Sequence, residues 1–596
     1  MRHVLKSSLA AVGAVALVGL ALPAHPASAG ITDTPADVGY QILTEDVYDP
    51  MVVQAAPDGR VLVGQRDGKI KVWQQNGKLS TAVQLPVNAA RGCVDCAEKV
   101  NDDGGIYSMV IDPAFAKNGY VYVWYGRAHT GRPDTNLEDW RLSRLTMKPN
   151  STIAPSSEKV LFTAKAWYLD PEGSQAHYGG VLEFLPDGTL VLGTGDDVDP
   201  KCDGGYGPRD NTKEKGHFCN GELTVQNPAS PWGKILRFNP DGTAPNGKKK
   251  GVKANPFLGK KAVNPWIPDG TTHKMHYYVA TTPAHPKPIA YLPYVYAVGF
   301  KQPWRGSVDP KTGTLWFGEV GPDAQNDDPA KGPQAYEEIN TVNYGGGGNY
   351  GWPRCMGPNL AYHNYDWAKS VDKGALSCKG MTAPSIYYNE TNGFSWAPLV
   401  GAGPKTSEVV DYIAPSKGSL ALPKRFENGV ILMDWSRGYM YGIPVKGGQL
   451  QTAASGWSLL RPPVPGGTFV GVLPSGVVPT QTGTLMGALP VLDADAGRDG
   501  ALYMVEYGSG YGNNPLSRLS RLTCATCKAN PAKDFVHTAG VPVVSAADAF
   551  APKAVAAPTT TVAQVSHTVT PARTAGAAGL VALVGLAWRR RRLLPS

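Results

Sequence analysis

One local unit recurs along this chain: a tight turn followed at once by an alternating run of β-branched and aromatic residues. Pro57-Asp58-Gly59 leads into Arg60-Val61-Leu62-Val63, and Asn118-Gly119 into Tyr120-Val121-Tyr122-Val123. Pro186-Asp187-Gly188 leads into Thr189-Leu190-Val191-Leu192, and Lys311-Thr312-Gly313 into Thr314-Leu315-Trp316-Phe317. Asn428-Gly429 precedes Val430-Ile431-Leu432-Met433, and Asp499-Gly500 precedes Ala501-Leu502-Tyr503-Met504. Asp-Gly and Asn-Gly supply the positive φ that hairpins need, and the runs that follow suit pleated strands. No long helical periodicity interrupts them. Gly 70 and Pro 51 in 596 residues fit a turn-rich all-β protein. Short strands recurring over residues 30–527 predict radial repetition of four-stranded sheets, a β-propeller, because that arrangement leaves few exposed edges. The irregular spacing does not set the number of blades. The long inserts at 201–220 and 246–285 are expected to be loops that gather on one face and build the site.

Both ends read as addresses. Arg2 and Lys6 precede the apolar run 9–22, and Ala27-Ser28-Ala29 supplies a small-residue cleavage pattern, so residues 1–29 read as a secretory signal peptide. Residues 528–573 form an Ala-, Pro- and Thr-rich linker, and 574–596 a hydrophobic anchor ending in Arg589-Arg590-Arg591-Arg592. The apolar run there is shorter than the ~20 residues of a full span, so a removable sorting tail is the alternative to a membrane tether. The product is expected to be extracellular, with C-terminal membrane association. The formal charge of +8 comes almost wholly from Arg2, Lys6, Arg573 and the four terminal arginines, which leaves the body at +1. A nucleic-acid partner is excluded on that balance. The eight cysteines fall into four local pairs: Cys93 with Cys96, Cys202 with Cys219, Cys355 with Cys378, and Cys524 with Cys527. In an exported chain this predicts disulfides rather than a four-cysteine zinc site.

Three segments carry candidate chemistry. Ala176-His177-Tyr178-Gly179-Gly180 places a histidine at a strand entrance beside glycines that allow close backbone approach. His177 reads either as a general base or as a strand cap held by hydrogen bonds. In Gly299-Phe300-Lys301-Gln302-Pro303-Trp304-Arg305, Lys301 and Arg305 suit carboxylates of a cofactor and Gln302 a carbonyl; a packed strand start with solvated cations is the plainer reading. Glu319-Val320-Gly321-Pro322-Asp323, with Asp327 and Asp328, offers hard oxygen ligands of the kind calcium takes, or simply an acidic loop.

In order and wording these segments resemble the soluble pyrroloquinoline-quinone (PQQ)-dependent glucose and sorbosone dehydrogenases, which are six-bladed β-propellers. The resemblance is carried by Gly104-Gly105-Ile106 through Ile111-Asp112-Pro113-Ala114-Phe115 and by His177-Tyr178-Gly179-Gly180. It continues in Gly233-Lys234-Ile235-Leu236-Arg237-Phe238-Asn239-Pro240-Asp241-Gly242, in 300–304, in Glu338-Ile339-Asn340, in Gly348-Asn349-Tyr350-Gly351-Trp352-Pro353 and in 499–506. It spans residues 38–522.

The resemblance implies that His177 is the base that takes the proton of a sugar C1 hydroxyl while hydride passes to PQQ. It implies that Asp103 holds substrate and that the carbonyls of Gly321 and Pro322 bind the Ca2+ that polarises the quinone. Glu338 and Tyr350 match ligands of a second, structural calcium site. Three departures stand out. The family's Arg-Asn pair at the cofactor is Lys301-Gln302, which keeps charge and amide but loses the bidentate fork. A later lysine aligns near Ser436, with Arg437 beside it as a substitute. An arginine pair expected before the last Asp-Gly turn is replaced by residues 490–493. The expected function is therefore an exported PQQ-dependent dehydrogenase of an aldose or related polyol, passing electrons to an external acceptor. The alternative is a cofactor-free propeller that binds carbohydrate or a cell-surface partner.

Overall fold

Each of the six turn-led runs forms the second strand of one antiparallel sheet, and six such sheets surround a common axis. The computed structural model describes residues 38–88, 104–128, 137–167, 177–199, 202–210, 219–263, 288–389, 408–418, 420–434, 440–451, 458–459, 491–507, 517–524 and 544–545. The segments read as a signal peptide, 1–29, and as a C-terminal anchor, 574–596, lie outside the described residues.

Blade 1 runs Pro50–Ala55, Val61–Gln65, Lys69–Trp73 and Leu79–Gln84. Blade 2 runs Ile106–Ile111, Tyr120–Gly126, Leu137–Thr146 and Lys159–Trp167. Blade 3 is Leu182–Phe184, Leu190–Thr194, Lys234–Phe238 and Val295–Val298. Blade 4 is Pro303–Val308, Leu315–Glu319, Tyr336–Val342 and Ile386–Asn389. Blade 5 begins with Glu408–Ile413, Gly429–Asp434 and Met440–Lys446, the last of which pairs with Ser458–Leu459. Blade 6 is Val491–Ala496, Leu502–Glu506 and Arg518–Cys524, completed by Val38–Thr44. The first strand of every blade packs against its counterparts on both sides, closing a ring. The fold is a six-bladed β-propeller. Among the described residues the α-helices are single turns, Phe115–Asn118 and Gly221–Thr224.

Because each blade stacks between two others, its second strand is buried on both faces and reads as a near-continuous apolar run. Close packing also explains glycines inside these strands: a Cβ at Gly64 would lie 2.6 Å from Val52 Cγ1 across its own sheet and 3.2 Å from Ile106 Cγ2 of blade 2. The ring is closed by the two ends of the fold. Val38–Thr44 pairs with Arg518–Cys524, Tyr40 donates to Glu506 Oε1 at 2.6 Å, and Arg521 Nε donates to Gln41 Oε1 at 2.8 Å.

Strand alternation sorts the connections between two ends of the propeller. Links from a fourth strand to the next blade, and from second to third strands, emerge on one end; the others emerge on the opposite end. His177, Lys301 and the insert at 201–220 share the first end. The insert at 246–285 follows the third strand of blade 3 and so leaves from the opposite end, which corrects the expectation that both inserts build one face. Its described part includes a hairpin of Lys261–Val263 with Pro288–Ala290. Cys202 bonds Cys219 and Cys355 bonds Cys378 as expected. Cys524 is also in a disulfide, which leaves a zinc role for it without support; Cys93, Cys96 and Cys527 lie outside the described residues.

Glu138, in the third strand of blade 2, is fully buried and accepts from Trp140 Nε1 and Asn88 Nδ2. Burial raises its pKa to about 7, against donors that favour the charged form. A carboxyl whose folded pKa is raised stabilises the protein fully below its unfolded pKa, and that gain fades as pH rises through the folded value. Stability is therefore expected to fall between about pH 4.5 and 7, with up to about 3 kcal/mol arising at this group. Urea titrations of the chain and of Glu138→Gln across that range check this; the variant should show the weaker pH dependence.

Candidate functional site

The segment from His177 to Gly180 is fixed by what surrounds it. Tyr178 is buried, its ring stacks on Trp140 at 4.2 Å, and its carbonyl accepts from Trp124 Nε1 at 2.9 Å. Gly179 N donates to Gln302 Oε1 at 2.8 Å, which ties the segment to the junction between blades 3 and 4. Gly195 has to lack a side chain, since a Cβ there would collide with the His177 carbonyl. These restraints hold His177 at φ +74°, a left-handed conformation that costs a non-glycine residue about 1–3 kcal/mol and that clusters at functional positions.

The imidazole sits in a narrow cleft with Asp196, Asp199, Lys301, Pro322 and Trp352 and is only 8% exposed. His177 Nδ1 donates to Asp196 Oδ1 at 2.8 Å, and Asp196 also accepts from Trp352 Nε1 at 2.8 Å and from Val198 N at 3.2 Å. With Nδ1 committed as a donor, Nε2 carries the lone pair. That lone pair accepts from Lys301 Nζ at 2.9 Å. The arrangement is a carboxylate, an oriented imidazole and an ammonium in one chain of contacts.

Trp352 reaches this cleft by an unusual route. The connection between the third and fourth strands of blade 4 climbs parallel to the outer strand of blade 3, with Tyr350 N donating to Val298 O at 2.9 Å. The insert of blade 3 is braced below it. Glu222 accepts from Arg209 Nε at 3.0 Å and from Arg354 Nε at 2.8 Å, and Lys234 donates to three carbonyls, including Val225 O at 2.7 Å. Burial drives the Lys234 ammonium well below the usual lysine range.

Of the residues singled out in the sequence, His177, Lys301, Gln302 and Pro322 come together. Gln302 holds Gly179 with its carbonyl. Gly321 adjoins Pro322 and donates its N–H to Glu337 Oε2 at 2.8 Å. Glu338 lies opposite Glu319 on the neighbouring strand, and Asn340 Nδ2 donates to both, at 3.0 and 2.6 Å. Burial pushes Glu338 up to about 7, and burial with the Glu338 charge pushes Glu319 well above the carboxylate range. Tyr350 packs on Phe300 at 4.6 Å and donates to Thr341 O at 2.6 Å; burial raises its phenol. Among the described residues no three His, Cys, Asp or Glu side chains are already gathered around a point. Asp103 and Arg437 lie outside the described residues. Arg305, read as a cofactor cation or a solvated one, is buried, with Nε 3.2 Å from Asp493 Oδ1 and Nη1 donating to Trp304 O at 2.9 Å. Asp196 was missed: Gly195-Asp196-Asp197 looks like an acidic turn, and only the ring of blades brings it to His177.

The family model for glucose/sorbosone dehydrogenase matches residues 47–268 and 269–400. The chain belongs to that family. It is 25% identical to HIPL1 protein of Arabidopsis thaliana over 343 residues, covering 52% of this chain and 41% of the relative. It is 26% identical to an uncharacterized protein of Synechocystis over 253 residues, 42% of this chain and 44% of that one. The chain thus spans less than half the length of these curated relatives. Among solved structures, a PQQ-bound aldose sugar dehydrogenase of Streptomyces coelicolor aligns at 18% identity and TM-score 0.44, covering 82% of this chain and 99% of that one. The apo-form of the Escherichia coli aldose sugar dehydrogenase aligns at 16% identity and TM-score 0.46, covering 82% and 99%.

Proposed function

We propose that this family member oxidises an aldose or related polyol with PQQ and calcium, using His177 as the base. The observation that carries the reading is the Asp196–His177–Lys301 chain, because it fixes the imidazole in the tautomer a base needs and sets a cation beside it. Bound PQQ, polarised by calcium, supplies the two-electron acceptor for the C1 hydride. The donor set fits such a group in part: Lys301 brings the charge that attracts a carboxylate and Gln302 adds an amide, with Arg437 as a further candidate. The Gly321 and Pro322 carbonyls are the candidates for its calcium, and Glu338 with Tyr350 for a second calcium. Asp103 is the candidate for holding the sugar.

His177 Nε2 receives the proton of the C1 hydroxyl, so that C1–O becomes a carbonyl as the hydride departs. Asp196 stabilises the imidazolium that forms, and the buried setting strengthens that pairing. Lys301 occupies Nε2 beforehand. Lys301 would turn its ammonium to a bound carboxylate and so leave the Nε2 lone pair open to substrate. Export, release of electrons to an external acceptor and tethering by residues 574–596 complete the proposal.

A second reading, a cofactor-free carbohydrate- or surface-binding propeller, is favoured by Asp493, an acid in the stretch where the family's arginines are expected. One assay separates them. The purified propeller is given calcium and PQQ, and its absorption spectrum and dye-linked oxidation of an aldose panel are recorded. A bound-quinone spectrum with turnover is expected. Sugar binding with neither would overturn the enzyme reading in favour of the binding module.

A further inference from the structure

The end of the propeller away from His177 carries a cavity of about 620 Å³ between blades 2 and 3. Tyr120 and Tyr122 line it from the second strand of blade 2 and Arg144 from the third. The facing side is chain that follows the third strand of blade 3, between Asn239 and Lys249. The insert beginning at 246 therefore builds a cavity, though not the cleft around His177. One contact joins the two blades here: the Tyr122 hydroxyl donates to Asp112 Oδ2 at 3.2 Å and lies 3.4 Å from Pro240 O. Burial and the Asp112 charge raise the phenol, so it stays a neutral donor.

The acids and the cations of this cavity are used differently. Asp112 accepts from Ala114 N at 2.8 Å and Asn118 Nδ2 at 3.0 Å as well as from Tyr122. Asp241 Oδ1 accepts from Thr243 Oγ1 at 2.6 Å and Thr243 N at 2.9 Å, which holds its carboxyl below the usual range. Both acids are thus engaged by their own turns. Arg144 instead lays its guanidinium over the Tyr120 ring, 4.0 Å from the centroid, a stacking that leaves an N–H edge for an acceptor. Lys248 N donates to Asn246 Oδ1 at 3.1 Å, a turn from which the exposed Lys248 and Lys249 side chains extend. Among the described residues, Arg144, Lys248 and Lys249 form no ion pair. Like charges that share a cavity repel until an anion joins them.

We propose that the cavity between blades 2 and 3 binds an acidic saccharide, with Arg144, Lys248 and Lys249 taking its carboxylate or phosphate groups. Pockets of about 300–1,000 Å³ suit small organic ligands, whereas an ion alone would leave most of this one to water. Arg144 offers a planar fork and the two lysines mobile point charges, a combination that meets oxyanions spaced along a molecule. Asp241 Oδ2 and Asn246 Nδ2 make no hydrogen bond among the described residues and suit sugar hydroxyls. A nucleobase fits less well: the Tyr120 ring is already covered by Arg144 and packed on the core, so it offers little face for stacking.

The test is calorimetric titration of the full chain at low salt, with no quinone or calcium added. Trigalacturonate and glucose 1-phosphate are the acidic probes, one bearing carboxylates and the other phosphate; maltotriose is the neutral control and inorganic phosphate the ion control. At least one acidic probe is expected to bind about tenfold or more tightly than either control, and to weaken as salt is raised. Lys248→Gln with Lys249→Gln is expected to weaken that binding about tenfold or more at an unchanged melting temperature, since both side chains are exposed. Arg144→Gln is expected to weaken it as well. Lys301→Gln removes the cation of the His177 cleft and is expected to leave the affinity as it was. Failure of both acidic probes, equal binding of a control, undiminished binding in the lysine pair or loss in Lys301→Gln would each overturn the proposal. The cavity and the His177 cleft lie on opposite ends, so failure here leaves the dehydrogenase reading untouched.

Discussion

Replacing His177 by Asn is expected to lower dye-linked sugar oxidation by about 10²–10⁴-fold while leaving the fold intact, the usual worth of a positioned general base. Asn is the informative choice because His177 sits at φ +74°, and Asn tolerates the left-handed region better than Ala. The neighbouring anchors, Tyr178 against Trp140 and Gly179 on Gln302, are unchanged by the substitution. An amide oxygen cannot take the proton at neutral pH. The expected signature is a collapse of kcat with KM for the sugar and the melting temperature close to the parent's. A variant retaining more than a tenth of the parent's kcat would remove His177 as the base.

The second large effect is expected from Asp196→Asn, which is nearly isosteric. The remaining carbonyl oxygen of Asn can still accept from Trp352 Nε1 or Val198 N, but the amide turns an N–H toward His177 Nδ1. The imidazole then has to accept at Nδ1 and carry its proton on Nε2, where Lys301 already points an ammonium. Two donors face each other, and the base has its lone pair on the wrong side. A comparable change of tautomer in a serine-protease triad costs about 10⁴ in kcat. A loss of about 10³–10⁴ is expected here, together with about 1–3 kcal/mol of stability from the disturbed buried hydrogen bonds. Equal losses of kcat and kcat/KM would mark an interaction made in the transition state. A change confined to KM would count against the role given to Asp196.

The turn chemistry made the blades legible. Asp-Gly or Asn-Gly opens the second strand of five blades and Thr312-Gly313 that of blade 4, the strand buried on both faces and so the most apolar in sequence. The first strands are harder to read because they face the axis and carry polar residues: Leu182–Phe184 is three residues long with Glu183 at its centre, and Val491–Ala496 contains two aspartates. The same alternation decides where Arg305 goes. Alternation along Pro303–Val308 sends Arg305 to Asp493 on the axis, though the residues just before it, Lys301 and Gln302, stay in the cleft. His177 and Lys301 are 124 positions apart, and only closure of the blades sets Nε2 against Nζ. The resemblance of short segments found both residues; no local signal gave their contact, or the part of Asp196 in it.

The strand that closes the ring has a directional consequence. Val38 pairs with Cys524, at the start of Val38–Thr44 and the end of Arg518–Cys524, and strand alternation puts both on the end opposite His177. Chain entering before Val38 and chain leaving after Cys524 share one corner of the underside. Any attachment made at those two points meets the end of the propeller away from His177. Cargo joined directly before Val38 would crowd that underside and leave the cleft around His177 clear.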